Sequence, residues 1–385
     1  MRFDRLCVWR LEWGYMRSVS LLIKPASGNC QLRCKYCFYK DVTSIREVSN
    51  YGVMSRELME ILVRKALSES DEACSFAFQG GEPTLAGLDF YRDFVEMVRK
   101  FNIRNIPVSF SLQTNGMLMD AQWCEFFTQN GFLIGLSLDG SKDTHDRNRV
   151  DASGKGTYAR VMHAAELMDK HKTQYNILCV VTNETARRAS HVYNFFREKG
   201  FGFIQFIPCI DDFGVEHGSR AFSLTPERYA YFLKTFFDLW YRDFMAGKYI
   251  SVRHFDNWIQ MLRGRPPESC SMSGRCVSYG VIEADGSVYP CDFYVLDEWK
   301  LGNVTTDSFT QMLSGTRSRE FVDASVVIPD KCGSCRFLRI CRNGCRRDRE
   351  LPGGEGLSVN HYCSAYYEFF GYALERMKQI SVSID

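Results

Sequence analysis

Cys30-Gln31-Leu32-Arg33-Cys34-Lys35-Tyr36-Cys37 is the stretch on which the reading of this chain turns. Its spacing is C-x3-C-x2-C. Three thiolates so close in sequence can hold three corners of a four-iron, four-sulfur cluster, whereas a structural cluster takes four cysteines. An iron left without a protein ligand is an open coordination position, the feature that separates catalytic from structural zinc sites. Zinc with a fourth ligand borrowed from elsewhere is the competing reading of the triplet.

Outward from the triplet, β-branched and aromatic runs alternate with amphipathic stretches as far as about residue 209. The pattern predicts strands at 20–24, 74–78, 108–113, 133–138, 175–181 and 202–208, with helices at 56–68, 89–100, 121–130, 158–170 and 184–199. Strand–helix alternation of this kind predicts a parallel sheet. Curled into a barrel, such a sheet carries its active site at the C-terminal strand ends, and the triplet directly follows the first strand. A helix rich in Phe and Tyr is expected over 226–245, its rings serving packing. Near position 248 the helical periodicity fades and cysteines crowd in, so a domain boundary is expected there.

Eight cysteines follow that boundary: Cys270, Cys276, Cys291, Cys332, Cys335, Cys341, Cys345 and Cys363. Two fully ligated clusters need eight thiolates; a pair of zinc sites is the alternative, since C-x2-C is common in zinc ribbons. Ala284-Asp285-Gly286-Ser287 reads as a hairpin turn that would bring Cys276 and Cys291 together. Of the remaining cysteines, Cys74 and Cys179 fall in strand patterns and read as small buried hydrophobes. Cys7, Cys124 and Cys209 receive no role.

Bulk composition narrows the classes. The chain has 385 residues, 45% hydrophobic and 24% charged, ordinary for a globular protein. A net charge of +2 gives no footprint for nucleic acid. No apolar run is long enough to span a membrane, and the first residues lack a signal-peptide core. Sixteen cysteines without an export signal point to metal clusters in a reduced, cytoplasmic setting rather than to disulfides.

With Tyr36 before its last cysteine, the triplet resembles the signature of the radical S-adenosylmethionine enzymes, and the later cysteines resemble the SPASM extension. The resemblance implies a partial (β/α)6 barrel over 18–247 and a SPASM domain with a C-terminal helix over 248–385, with 1–17 as an N-terminal extension. It implies S-adenosylmethionine and three [4Fe-4S] clusters. Cys30, Cys34 and Cys37 would hold the first. Cys270, Cys276, Cys291 and Cys345 would hold one auxiliary cluster, and Cys332, Cys335, Cys341 and Cys363 the other. The interleaving of Cys345 comes from the resemblance, not from spacing. Gln79-Gly80-Gly81-Glu82-Pro83 looks like the family's GGEP motif, so Gly81 and Glu82 would face the methionine amino group; a plain turn is the other reading. Ser137 and Arg149 would lie near the cofactor, Arg149 on its carboxylate, although a surface arginine fits the sequence too. Tyr36 and Ile210 would line the adenine.

Closer likeness comes from Ser20-Leu-Leu-Ile-Lys-Pro-Ala-Ser, Cys74-Ser-Phe-Ala-Phe-Gln-Gly-Gly-Glu-Pro-Thr-Leu-Ala-Gly and Tyr289-Pro-Cys-Asp-Phe-Tyr-Val-Leu-Asp. These look like the anaerobic sulfatase-maturating enzymes, which oxidise a Cys or Ser in a C/S-x-P/A-x-R segment of a sulfatase polypeptide to Cα-formylglycine. The resemblance makes Asp292 the general base; a turn-capping aspartate is the local alternative. It also implies a reductant such as flavodoxin or ferredoxin, and neither nucleic acid nor membrane as a partner. Two other functions stay open from the sequence. One is a maturase that crosslinks a ribosomally made peptide, disfavoured because 29 residues ahead of Cys30 are too few for a leader-binding domain. The other is a non-catalytic electron carrier, which would not need the open triplet or the GGEP loop.

Overall fold

The computed structural model describes residues 18–351 and 356–383. Cys7 and the expected extension over 1–17 lie outside the described residues.

Alternation in the strands sets the architecture. In β2 (Ala73–Phe78), Cys74, Phe76 and Phe78 are buried, while Ala73, Ser75 and Ala77 between them are half-buried. Period 2 puts these two sets on opposite faces. Phe76 and Phe78 meet Phe94 of the helix Leu88–Phe101 edge-on, with ring centroids 5.0 and 4.9 Å apart. The aromatic face is thus the one covered by helices. The other face carries small residues, and Ser75 shares a 2.8 Å hydrogen bond there with Ser109 of β3 (Val108–Thr114).

β1 (Ser18–Ile23), β2, β3, β4 (Phe132–Ser137), β5 (Gln174–Val181) and β6 (Phe203–Pro208) lie side by side in that order, all parallel. This is the alternating α/β pattern expected from the sequence. β7 (Ser251–Val252) adds to β6 at one edge, so the sheet stays open as a partial barrel. Its concavity shows in a contact across the mouth: Tyr36, after β1, donates a hydrogen bond to Asp139, after β4. Side-chain caps fix several helix starts: Ser55 accepts from Leu58 N, Asp120 from Trp123 N, and Thr225 from Arg228 N. The expected aromatic helix is Pro226–Met245, and its Phe236 packs edge-on against Phe206 of β6 at 4.4 Å.

The single helix expected over 184–199 is two, Asn183–Arg187 and Ala189–Glu198. The chain leaves helical geometry at Arg188 (φ −105°, ψ 25°), and the change of direction lets both pieces pack against Pro226–Met245. Helical structure also persists past 248, where the sequence pattern fades. Arg253–Leu262 packs on β6, and Cys363–Ser383 packs on both Pro226–Met245 and Arg253–Leu262.

The cysteine-rich part joins the same sheet. β8 (Gly280–Ile282) pairs parallel with β1, and β9 (Ser287–Tyr289) returns antiparallel beside it, followed by β10 (Gly302–Asn303). The expected hairpin turn lies between β8 and β9, with Gly286 at φ 84° in the left-handed region that glycine tolerates. Lys24 and Arg46 meet Glu283 at 2.9 and 3.0 Å, all three side chains fully buried, so an ion triad ties the end of β1 to the hairpin. Among the described residues no helix is long and apolar enough to cross a membrane.

Candidate active site and cysteine sets

The triplet sits in the loop between β1 and the short helix Phe38–Ser44. That loop is strapped to the segment after β4: Arg33 N donates to Val150 O at 2.7 Å and Lys35 N to Asn148 O at 3.0 Å. Cys37 is the N-cap residue of Phe38–Ser44. Leu32 N and Asn115 Nδ2 both donate to Cys30 Sγ, at 3.4 and 3.7 Å. Burial pushes the Cys30 thiol up to about 11 and Cys34 up to about 12, with the neighbouring thiols adding to the rise. Metal charge reverses that preference, because a coordinating thiol is deprotonated outright.

The GGEP loop leans directly on the triplet loop. Gly81 N donates to Ser27 O at 3.0 Å and Glu82 N to Asn29 O at 2.7 Å. A Cβ on Gly81 would stand 2.0 Å from Asn29 O, so only glycine fits. The Glu82 carboxylate is spent within the protein. Oε1 accepts from Thr84 N, Thr84 Oγ1 and Thr114 Oγ1 at 3.1, 2.6 and 2.8 Å, and Oε2 accepts from Asn115 N at 2.8 Å. It therefore clamps the loop onto the end of β3.

Arg149 is buried, and its partner is Asp139. Nε and Nη2 donate to Oδ2 and Oδ1 at 3.0 and 3.2 Å. The guanidinium lies 5.4 Å from the centre of the Tyr36 ring. Asp139 also accepts from Val180 N at 3.0 Å, so one acid organises the strand ends of β4 and β5 and the triplet loop. Asp139 is a residue that the sequence reading missed, although it stands in the quoted Leu136-Ser137-Leu138-Asp139-Gly140; position at a strand's C-terminal end was the available signal. Ser137 closes β4 and is buried, and Ile210 follows β6, half-buried, on the same rim.

Asp292 opens a 3-10 turn, Asp292–Tyr294, just after Cys291. It is buried, and its Oδ2 accepts from Tyr39 Oη and from Gln79 Nε2, the latter at 3.1 Å. Gln79 Nε2 also reaches Tyr39 Oη at 2.7 Å. Oδ1 is buried and has no partner among the described residues. Burial raises the carboxyl above its usual range, while the Lys24 cation and the Tyr39 hydrogen bond oppose the rise. Tyr39, Gln79 and Lys24 are the other residues missed from sequence. Each stands next to a motif: two residues after Cys37, immediately before Gly80-Gly81, and one residue past β1.

The eight later cysteines fall into two groups. Cys345 is pushed up by burial and by facing Cys270, Cys291 and Cys276, and Cys291 likewise faces Cys270 and Cys276. Cys341 is pushed up to about 11 by burial and by Cys363, Cys332 and Cys335. Tyr279 donates to Cys291 Sγ at 3.8 Å. Among the described residues no three His, Cys, Asp or Glu side chains converge tightly enough for a single metal ion. A four-iron cluster does not ask for that, because each thiolate binds a different iron. Cysteine-only donor sets of three, four and four suit such clusters.

An open thiol triplet on the rim of a parallel, partly closed α/β barrel, with a hairpin-borne cysteine module on the same sheet, defines a radical S-adenosylmethionine enzyme of the SPASM type. The sequence matches the radical SAM superfamily over residues 25–196 and an iron-sulfur cluster-binding domain, SPASM, over 270–336. It is 44% identical to a cysteine-type anaerobic sulfatase-maturating enzyme of Clostridium novyi, covering 96% of this chain and 99% of that one. The cysteine-type enzyme of Clostridium perfringens is 46% identical over 96% and 100%, and the serine-type enzyme of Bacteroides thetaiotaomicron 30% over 94% and 91%. The chain belongs to the anaerobic sulfatase-maturating enzymes. A solved structure of native anSMEcpe with bound AdoMet and Cp18Cys peptide superposes with a TM-score of 0.92 at 45% identity, over 96% of this chain and 100% of that one.

Proposed function

We propose that this enzyme oxidises a cysteine in a C-x-P/A-x-R segment of a sulfatase polypeptide to Cα-formylglycine. The higher identity to cysteine-type than to serine-type relatives supports cysteine as the preferred target. The observation that carries the reading is the buried Asp292 carboxylate, held through Oδ2 by Tyr39 and Gln79 with Oδ1 unpartnered among the described residues. A base needs an acceptor atom within hydrogen-bond reach of the proton that it takes, and Oδ1 is that atom.

Cys30, Cys34 and Cys37 would hold the catalytic cluster. Cys270, Cys276, Cys291 and Cys345 would hold one auxiliary cluster, and Cys332, Cys335, Cys341 and Cys363 the other. Backbone atoms around Gly81, with Glu82 clamping the loop, would receive the methionine amino group of S-adenosylmethionine. Arg149, oriented by Asp139, would meet its carboxylate; Ser137, Tyr36 and Ile210 would complete the cofactor's surroundings. The proposed division is a barrel over 18–247 and a cluster module over 248–385, preceded by the segment 1–17, with β7 and the helix Arg253–Leu262 of the module packed on β6. When bound and reduced, by a donor such as flavodoxin or ferredoxin, the cofactor supplies the 5′-deoxyadenosyl radical that takes a hydrogen atom from the target Cβ. Asp292 takes the thiol proton. One further electron leaves the substrate, giving a thioaldehyde that water converts to the aldehyde with loss of hydrogen sulfide. Lys24 favours the ionised carboxylate that this step requires, and Tyr39 and Gln79 hold it in place.

Anaerobic turnover of matched Cys- and Ser-containing peptides, read by mass spectrometry, tests this. Aldehyde on the Cys peptide with slower reaction of the Ser peptide is expected. A crosslinked product, or no change beyond cofactor cleavage, would overturn it.

A further inference from the structure

The stretch 326–345 carries Lys331, Arg336, Arg339 and Arg342 against a single acid, Asp330, in a chain whose whole net charge is +2. Lys331, Arg336 and Arg339 are exposed and Arg342 is half-buried. Among the described residues none of the four makes an ion pair with a carboxylate. Arg336 instead lies over the rings of Phe337 and Tyr367, at 4.5 and 5.6 Å. Tyr367 belongs to the helix that begins at Cys363. Lys331 stands close enough to Cys332 and Cys363 for its charge to act on both.

An apolar run adjoins these cations. Val326, Val327 and Ile328 are 44%, 55% and 58% exposed. They lead straight into the turn that holds Cys332, whose N–H donates to Pro329 O at 2.8 Å. Consecutive exposed aliphatic residues next to unpaired positive charge combine the two features of a docking patch, apolar surface and charge.

We propose that this face, over the set Cys332, Cys335, Cys341 and Cys363, is the docking surface for an acidic one-electron carrier protein. The inference rests on the formylglycine reading, which requires an electron to leave. Oxidation of the target removes two electrons; one departs with the hydrogen atom and the proton of the thiol goes to Asp292. The remaining electron is taken by the docked carrier, which arrives oxidised and leaves reduced by one. A second basic rim, beside the triplet, is compensated from within. Glu184 faces Arg147, Arg187 and Arg188 at 3.9, 3.8 and 2.9 Å, and Lys142 pairs with Asp146 at 3.1 Å. Among the described residues no carboxylate pairs with the four cations of 326–345.

Calorimetric titration of the reconstituted full chain with oxidised recombinant flavodoxin, and separately with an acidic ferredoxin, tests the proposal. Binding that weakens with salt is expected, as for charge-steered association. The variant Lys331→Glu/Arg336→Glu/Arg339→Glu should weaken it about tenfold or more, with iron content and circular dichroism unchanged. Val327→Ser/Ile328→Ser, which leaves every cation in place, should weaken it about threefold. Unchanged affinity in both variants, no binding of either carrier by the wild type, or a loss produced instead by Lys35→Glu/Arg147→Glu would overturn it. Failure of the formylglycine reading appears separately, in the peptide products, while carrier binding is still measured.

Discussion

Asp292 concentrates the chemistry into one carboxylate with two differently used oxygens. Oδ2 is committed to Tyr39 and Gln79, and Oδ1 is buried without a partner among the described residues. Replacing Asp292 by Asn keeps the shape and removes the base. Cluster absorbance and 5′-deoxyadenosine release should survive, while aldehyde yield falls about a hundredfold or more, the usual worth of a positioned base; full yield would exclude the role. Gly81 makes a steric argument at the same scale. In Gly81→Ala the new Cβ would stand 2.0 Å from Asn29 O, and a backbone oxygen cannot move without shifting the triplet loop. Weakened S-adenosylmethionine binding and lower iron uptake are expected, measured by titration and iron assay. Glycine at 81 was legible as a motif, but the atom that it makes room for was not, because Asn29 lies on another loop.

At the level of elements, the turn Arg342-Asn343-Gly344 decides which cysteines keep company. All three residues have positive φ, 52°, 63° and 65°. The left-handed path turns the chain sharply after Cys341, so Cys345 joins Cys270, Cys276 and Cys291 instead of its near neighbour. Spacing could not show this, since a C-x3-C interval fits a shared site equally well. The start of the helix Arg253–Leu262 offers a pH test. Asp256 accepts from Ser251 Oγ at 2.6 Å and Tyr249 Oη at 2.8 Å, and burial lifts its carboxyl to about 6. A carboxyl raised in the folded state holds its proton there longer than in the unfolded chain. Its contribution to stability is therefore full below about pH 4 and lost as pH rises through about 6. Asp256→Asn should flatten that decline, gaining about 1 kcal/mol at pH 8 after allowance for partial exposure. Urea midpoints at pH 5 and pH 8 measure it, and parallel pH dependence in both proteins would refute the assignment.

Across the whole molecule, barrel and cluster module share one sheet, and the seam between β1 and β8 is sealed by Lys24, Arg46 and Glu283. Removing the only acid of a buried triad strands two cations, a loss of about 3–5 kcal/mol. Glu283→Gln should lower the urea midpoint accordingly, and an unchanged midpoint would show that the seam does not depend on the triad. The C-terminal helix reinforces the joint: Phe369 meets Phe237 at 5.7 Å and Phe370 meets Trp258 at 5.1 Å. By itself the sequence determined the run of strands and helices, the loops that hold the cysteines and GGEP, and the family resemblance, because periodicity, turn residues and motif spacing are local properties. Only the tertiary structure decided that Asp139 holds Arg149, that Glu82 serves its own loop, and that Tyr39, Gln79 and Lys24 surround Asp292. Those pairings join strand ends and loops far apart in the chain, such as Tyr39 and Asp292 with a separation of 253. They are fixed by how the sheet curls and where the hairpin docks, which no local pattern encodes.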